Sequence, residues 1–177
     1  MEYAKEEYTK HYIVQALFKL MNENEYDKIS VIDIVNKAGV GRATFYRHFK
    51  KKEDIIIYFF EHNRKDFIAN QHYYPRCKED YIAIVKDSLY KFKEKKEVFK
   101  LLRKAHLESL YLDYLNQNYS ALFSKDYPNK HLFEPLIYSG MLFNISIAWL
   151  DHDCQEDINE LAFLIVDKIY KNDKNTL

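Results

Sequence analysis

The chain has 177 residues, of which 47% are hydrophobic and 31% charged, and its 27 Lys plus Arg are balanced by 27 Asp plus Glu. That is enough for one sizeable core or for a small head on a larger body, and the neutral balance excludes a globally basic or acidic protein. Only three glycines and three prolines leave little room for the turns of a β-rich fold, so an all-α chain of about nine helices is expected.

The composition also narrows location. No apolar run approaches the roughly 20 residues of a membrane span, and the start, Met1 to Glu7, is charged and lacks a signal-peptide hydrophobic region. Cys77 and Cys154 have neither metal-motif nor paired spacing. A reduced, cytoplasmic setting is therefore expected, with no cofactor, no metal site and no membrane partner.

In chain order, a first helix is predicted over Lys5 to Asn22, with Ile13, Ala16, Leu17, Leu20 and Met21 on one stripe. Ser30 then caps a second, in which Val31, Ile34, Val35 and Ala38 repeat at helical spacing. Gly39 stands where that helix must stop, since glycine takes the left-handed conformation without steric penalty. Val40 fills the corner and Gly41 opens a third helix. Phe45 and Phe49, four apart, anchor that helix, while Arg42, Thr44, Tyr46, Arg47 and His48 lie largely on the wet side. An apolar anchor on one face with hydrogen-bond donors on the other is the layout of a helix-turn-helix DNA reader.

Charge concentrates at the same place. Lys37, Arg42, Arg47, Lys50, Lys51 and Lys52 fall within a stretch holding no acid, although residues 1–60 as a whole carry 10 basic against 9 acidic side chains. Cations clustered this way neutralise phosphates and release counterions, which makes affinity fall steeply with salt.

The run from Ile34 to Ile55 resembles the N-terminal signature of the TetR family of bacterial transcription regulators (TetR/AcrR type). The similar points are Ala38-Gly39-Val40, the Phe45-Tyr46-x-His48-Phe49 run and Lys52-Glu53-Asp54. Gly41 departs from the family, which often has Ser or a similar cap there, so the third helix is expected to be weakly capped. The resemblance implies a head over residues 1–51 and a helical effector-binding and dimerisation body over 52–177, with helix four (about 52–70) bridging the two. It implies that Arg42, Ala43 and Thr44 face base edges of double-stranded DNA, Arg42 pairing with guanine O6 and N7. Tyr46, His48, Lys52 and Ser30 would contact phosphates, and Arg47 would add electrostatic attraction.

The body is predicted to hold helices over about 80–93, 98–105, 108–124, 132–151 and 155–171, with Pro135 tolerated in a first turn. In the last of these Leu161-Ala162-Phe163-Leu164-Ile165-Val166 is apolar beyond one stripe, so it should be covered on more than one side. Similar regulators pair through their last two long helices. That resemblance implies a homodimer over a pseudo-palindromic operator, with Gly140, Met141, Ile145, Trp149, Leu161, Phe163, Leu164 and Ile165 at the interface. Phe92, Phe99, Tyr111, Tyr114, Phe123, Tyr138 and Phe143, with His106, Asn144 and Ser146 as polar groups, are candidates for the pocket of an apolar or aromatic effector; plain core packing competes for each of them.

Asp151-His152-Asp153-Cys154 has a metal-like composition, but four consecutive residues cannot easily converge on one ion, and a solvated turn is expected. No phosphate-binding glycine loop, nucleophile elbow or paired His-x-x-x-His is present, so catalysis is not expected. The function expected is a homodimeric repressor released from its operator by a small molecule. The alternative is a co-regulator acting through a protein partner without an effector.

Overall fold

A computed structural model describes residues 2–69, 77–124 and 133–169. Among them the chain is helical: α1 Glu2–Glu23, α2 Val31–Ala38, α3 Arg42–His48, α4 Lys52–Ala69, α5 Lys78–Glu94, α6 Lys96–Lys104, α7 Ser109–Ser124, α8 Glu134–Asp151 and α9 Ile158–Ile169, with no strand among the described residues. A 3-10 turn at Tyr26–Lys28 joins α1 to α2. Periodicity alone gave no sign of it.

The chain forms two compact units. The first holds residues 1–71 with 101–110; the second holds 72–100 with 111–177. Helix α4 thus belongs to the first unit along its described length, and α6 and α7 each contribute residues to both.

The first unit closes on apolar residues from four helices. Ile13, Leu17, Ile34, Phe45, Ile55 and Ile56 are fully buried there. Each stands at the helical spacing that puts it on the inner stripe, so burial of apolar area holds α2 and α3 against α1 and α4. The second unit packs α5 against α9 and α8, with Leu89, Phe92, Leu142, Ile165 and Val166 fully buried. No described helix is long and apolar enough to cross a membrane.

Candidate nucleic-acid interface

The α2–α3 corner is fixed by local chemistry. The Ser30 hydroxyl accepts from the Asp33 amide at 3.2 Å while the Asp33 carboxylate accepts from the Ser30 amide at 2.8 Å and from its hydroxyl at 2.6 Å. This capping box satisfies the first turn of α2 reciprocally. The hydrogen bonds from Ser30 hold the Asp33 carboxyl below its ordinary value. At the other end Gly39 is left-handed (φ 68°), and its amide and that of Val40 close the helix on the carbonyls of Asn36 and Val35. Gly41 provides no side-chain cap for α3, as its lack of a side chain dictates.

Helix α3 divides as expected. Phe45 and Phe49 are buried, whereas Arg42, Ala43, Tyr46 and Arg47 are exposed and Thr44 is half-buried. Tyr46 sets its ring edge-on to Phe45 at 5.3 Å and still leaves half its surface open. Neither Arg42 nor Arg47 has an ion pair among the described residues.

Two of the expected phosphate contacts have hydrogen-bond partners within the chain, and a third is half-buried. Lys52 donates to the carbonyls of Tyr26 and Ile29 at 2.9 and 2.8 Å and lies 4.2 Å from the Tyr26 ring centre. Two of its three donors therefore close the 3-10 turn. Tyr26 in turn donates to Glu53 at 2.8 Å, and burial pushes its hydroxyl far above the ordinary tyrosine value, with Glu53 adding to the rise. His48 is half-buried, and its Nε2 is sealed without a hydrogen-bond partner among the described residues. Desolvation lowers its pKa, and Arg47 and Lys10 push the same way, against Glu6 and Glu7. The Ser30 hydroxyl already gives its proton to Asp33. Sequence reasoning missed Tyr26, whose anchoring of Lys52 is a contact between residues 26 apart in sequence that no local pattern encodes.

The body residues separate into three groups. Phe92, Phe99 and Tyr111 are buried together: Phe92 stacks on Phe99 at 4.0 Å, and Tyr111 meets Phe99 at 4.8 Å and Phe143 at 6.3 Å. Tyr114 stacks on Tyr111, and Tyr138 stacks on Tyr81. His106 is instead in the first unit, exposed at a left-handed turn after α6. Asn144 is exposed and donates back to the Gly140 carbonyl. The Phe123 side chain lies outside the described residues.

Of the residues expected at a subunit interface, Phe163 and Leu164 are exposed, and Gly140, Met141, Ile145 and Leu161 are half-buried. Trp149 and Ile165 correct that expectation: they are 2% and 0% exposed in the single chain, so a second copy cannot cover them further. The reason is helical register. On α9, Ile158, Ala162, Ile165 and Val166 form the inward stripe, leaving Phe163 and Leu164 outside. Exposed Phe133, Leu136 and Ile137, at the start of α8, were not foreseen. Asp151–Cys154 is a turn in which Asp153 pairs with Lys96 and Lys100, His152 meets Glu156, and no grouping able to hold a metal occurs among the described residues.

A three-helix head with its reading helix presented in this way defines a helix-turn-helix protein. Residues 13–59 match the family described as bacterial regulatory proteins, tetR family. The dhaKLM operon transcriptional activator DhaS of Lactococcus lactis is 37% identical over 67 residues, 37% of this chain and 36% of that protein. The HTH-type regulator SAB2452 of Staphylococcus aureus is 33% identical over 69 residues, 39% and 36% respectively. The matches thus span little more than a third of these curated relatives. The transcriptional regulator FadR of Bacillus subtilis, solved in complex with stearoyl-CoA, shares the fold with TM-score 0.52 at 19% identity, over 90% of this chain and 96% of that one.

Proposed function

We propose that the protein is a cytoplasmic, homodimeric transcriptional regulator that reads a pseudo-palindromic operator through α3 and is released from it by a small molecule bound in the body. The observation that carries this reading is the division of α3: Arg42, Ala43, Tyr46 and Arg47 stand exposed over the buried Phe45 and Phe49. Arg42 and Ala43, in the first turn, face base edges with Thr44, and Tyr46 and Arg47 follow the backbone. The exposed apolar residues Leu136, Ile137, Phe163 and Leu164 support a second copy as the partner along α8 and α9. Repression is the reading we adopt. The Lactococcus relative, named as an activator, favours activation as the second.

Fluorescence anisotropy on the duplex upstream of the chain's own gene, against a shuffled duplex and across a salt series, tests this. Preferential binding with a steep salt slope is expected. Equal, weak binding to both duplexes would remove the promoter-reading assignment.

A further inference from the structure

Two serines on α8 are completely buried, seven residues apart and so on one face of the helix: Ser139 and Ser146. Ser139 is satisfied, donating to the Asn116 side chain and lying 3.2 Å from the Leu136 carbonyl. Among the described residues the Ser146 hydroxyl has no partner, and neither has the indole nitrogen of Trp149, one turn further along and 2% exposed. Buried donors without partners are rare in folded proteins, and each needs a physical explanation.

The surroundings of this pair suggest one. The Trp149 ring lies nearly parallel to Phe92 at 6.5 Å, and Phe92 belongs to the cluster with Phe99 and Tyr111. Phe143 and Tyr114, half-buried, form the more open edge of that cluster. The Lys93 ammonium sits 5.4 Å from the Trp149 ring centre, and Lys96 and Lys100 hold Asp153 nearby in sequence. Two unpaired buried donors one turn apart on α8, of which Trp149 lies beside the aromatic cluster with a cation at hand, suit a ligand whose polar end is an anionic acceptor.

Resting on the effector reading above, we propose that Ser146 Oγ and Trp149 Nε1 form the polar end of the effector site and donate to the carboxylate of an otherwise apolar ligand. An indole N–H can only donate, which selects an acceptor over an amine or ammonium. The ligand's apolar part packs against Phe143, Tyr111 and Phe92. Because Phe92 and Phe99 stack as closely as 4.0 Å, entry requires these rings to part, and binding thereby remodels the contact between α5 and the start of α6.

Trp149 is the chain's single tryptophan, so its fluorescence reports on this site alone. Titrations with benzoate and with decanoate distinguish an aromatic from an acyl source of the carboxylate, and benzyl alcohol and decanol serve as uncharged counterparts. Saturable change with at least one carboxylate is expected, with affinity about tenfold weaker in Ser146→Ala, as suits loss of one hydrogen bond to a charged group. An alcohol binding as tightly as its acid, or Ser146→Ala binding unchanged, overturns the proposal, as does no response to either carboxylate at millimolar concentration.

A ligand-free arm is independent of that choice. Removing an unpaired buried donor without opening a cavity leaves Tm unchanged or higher in Ser146→Ala. A clear drop would mean that the Ser146 hydroxyl is partnered inside the folded chain, and would also overturn the proposal. The anisotropy assay separates the two readings. DNA binding without carboxylate binding sinks this inference alone, and carboxylate binding without DNA binding sinks the regulator reading alone.

Discussion

The two units treat their hydrogen-bond donors in opposite ways. On α3 Arg42 and Arg47 are exposed, supported by phenylalanines that point inward. In the second unit Ser146 and Trp149 bury their donors, the Trp149 ring lying beside Phe92. Donors kept in water suit a partner that arrives as a large, hydrated, charged surface, because nothing has to open. Donors sealed in an apolar cluster suit a small molecule that replaces part of the packing and brings its own acceptor. The contrast teaches that exposure, more than residue type, separates the two sets of donors.

The largest expected effect comes from removing the support of the reading face. Phe45→Ala deletes a fully buried ring and should destabilise the first unit by about 3–5 kcal/mol. DNA binding should vanish at temperatures where Trp149 fluorescence in the second unit is still native. Simultaneous loss of both signals on heating would show that the units unfold as one.

Next in size, Arg42→Ala should cost about 1–3 kcal/mol on the specific duplex and much less on a random one. Equal losses on the two duplexes, read by anisotropy, would remove Arg42 from base reading and leave it a phosphate contact.

The smallest effect concerns the cap that sets the angle of α2. Ser30→Ala should lower stability by about 1 kcal/mol in a denaturant titration. The same change should raise the Asp33 pKa towards its ordinary value, because the hydrogen bonds from Ser30 are what lower it. In the native chain the folded pKa of Asp33 lies below the unfolded one. Its stabilising contribution is thus fully present above about pH 4, the ordinary carboxylate value, and is lost as pH falls through the lowered folded pKa. Carbon NMR titration of the Asp33 carboxyl in the two proteins checks this, and identical pKa values would dissociate it from the cap.

Much of the head is legible in the sequence. Val31, Ile34, Val35, Gly39, Phe45 and Phe49 carry their structural instruction locally, through helical spacing, a stop residue and a cap. The helix bounds in the body were also close: α8 and α9 were expected from residues 132 and 155 and begin at Glu134 and Ile158. Lys52 was harder. A lysine in a basic run reads as a phosphate contact, but its ammonium is drawn to the carbonyls of Tyr26 and Ile29 by a turn the sequence pattern did not announce. Ile165 is expected outside because an apolar run six residues long does not say which of its members face inward, and Trp149 is expected there with Gly140, Met141 and Ile145 only through the family resemblance.

The sequence by itself determined the helical class, the helix-turn-helix and the family resemblance of residues 13–59, because these rest on interactions within a few turns of one another. Only the tertiary structure decided which side chains remain available. It occupied Lys52 and sealed His48 Nε2, turned Trp149 and Ile165 inward and left Phe163 and Leu164 outside. It also stranded Ser146 while satisfying Ser139. Availability depends on what a distant segment brings alongside, and that is set by packing between helices, not by the pattern along any one of them.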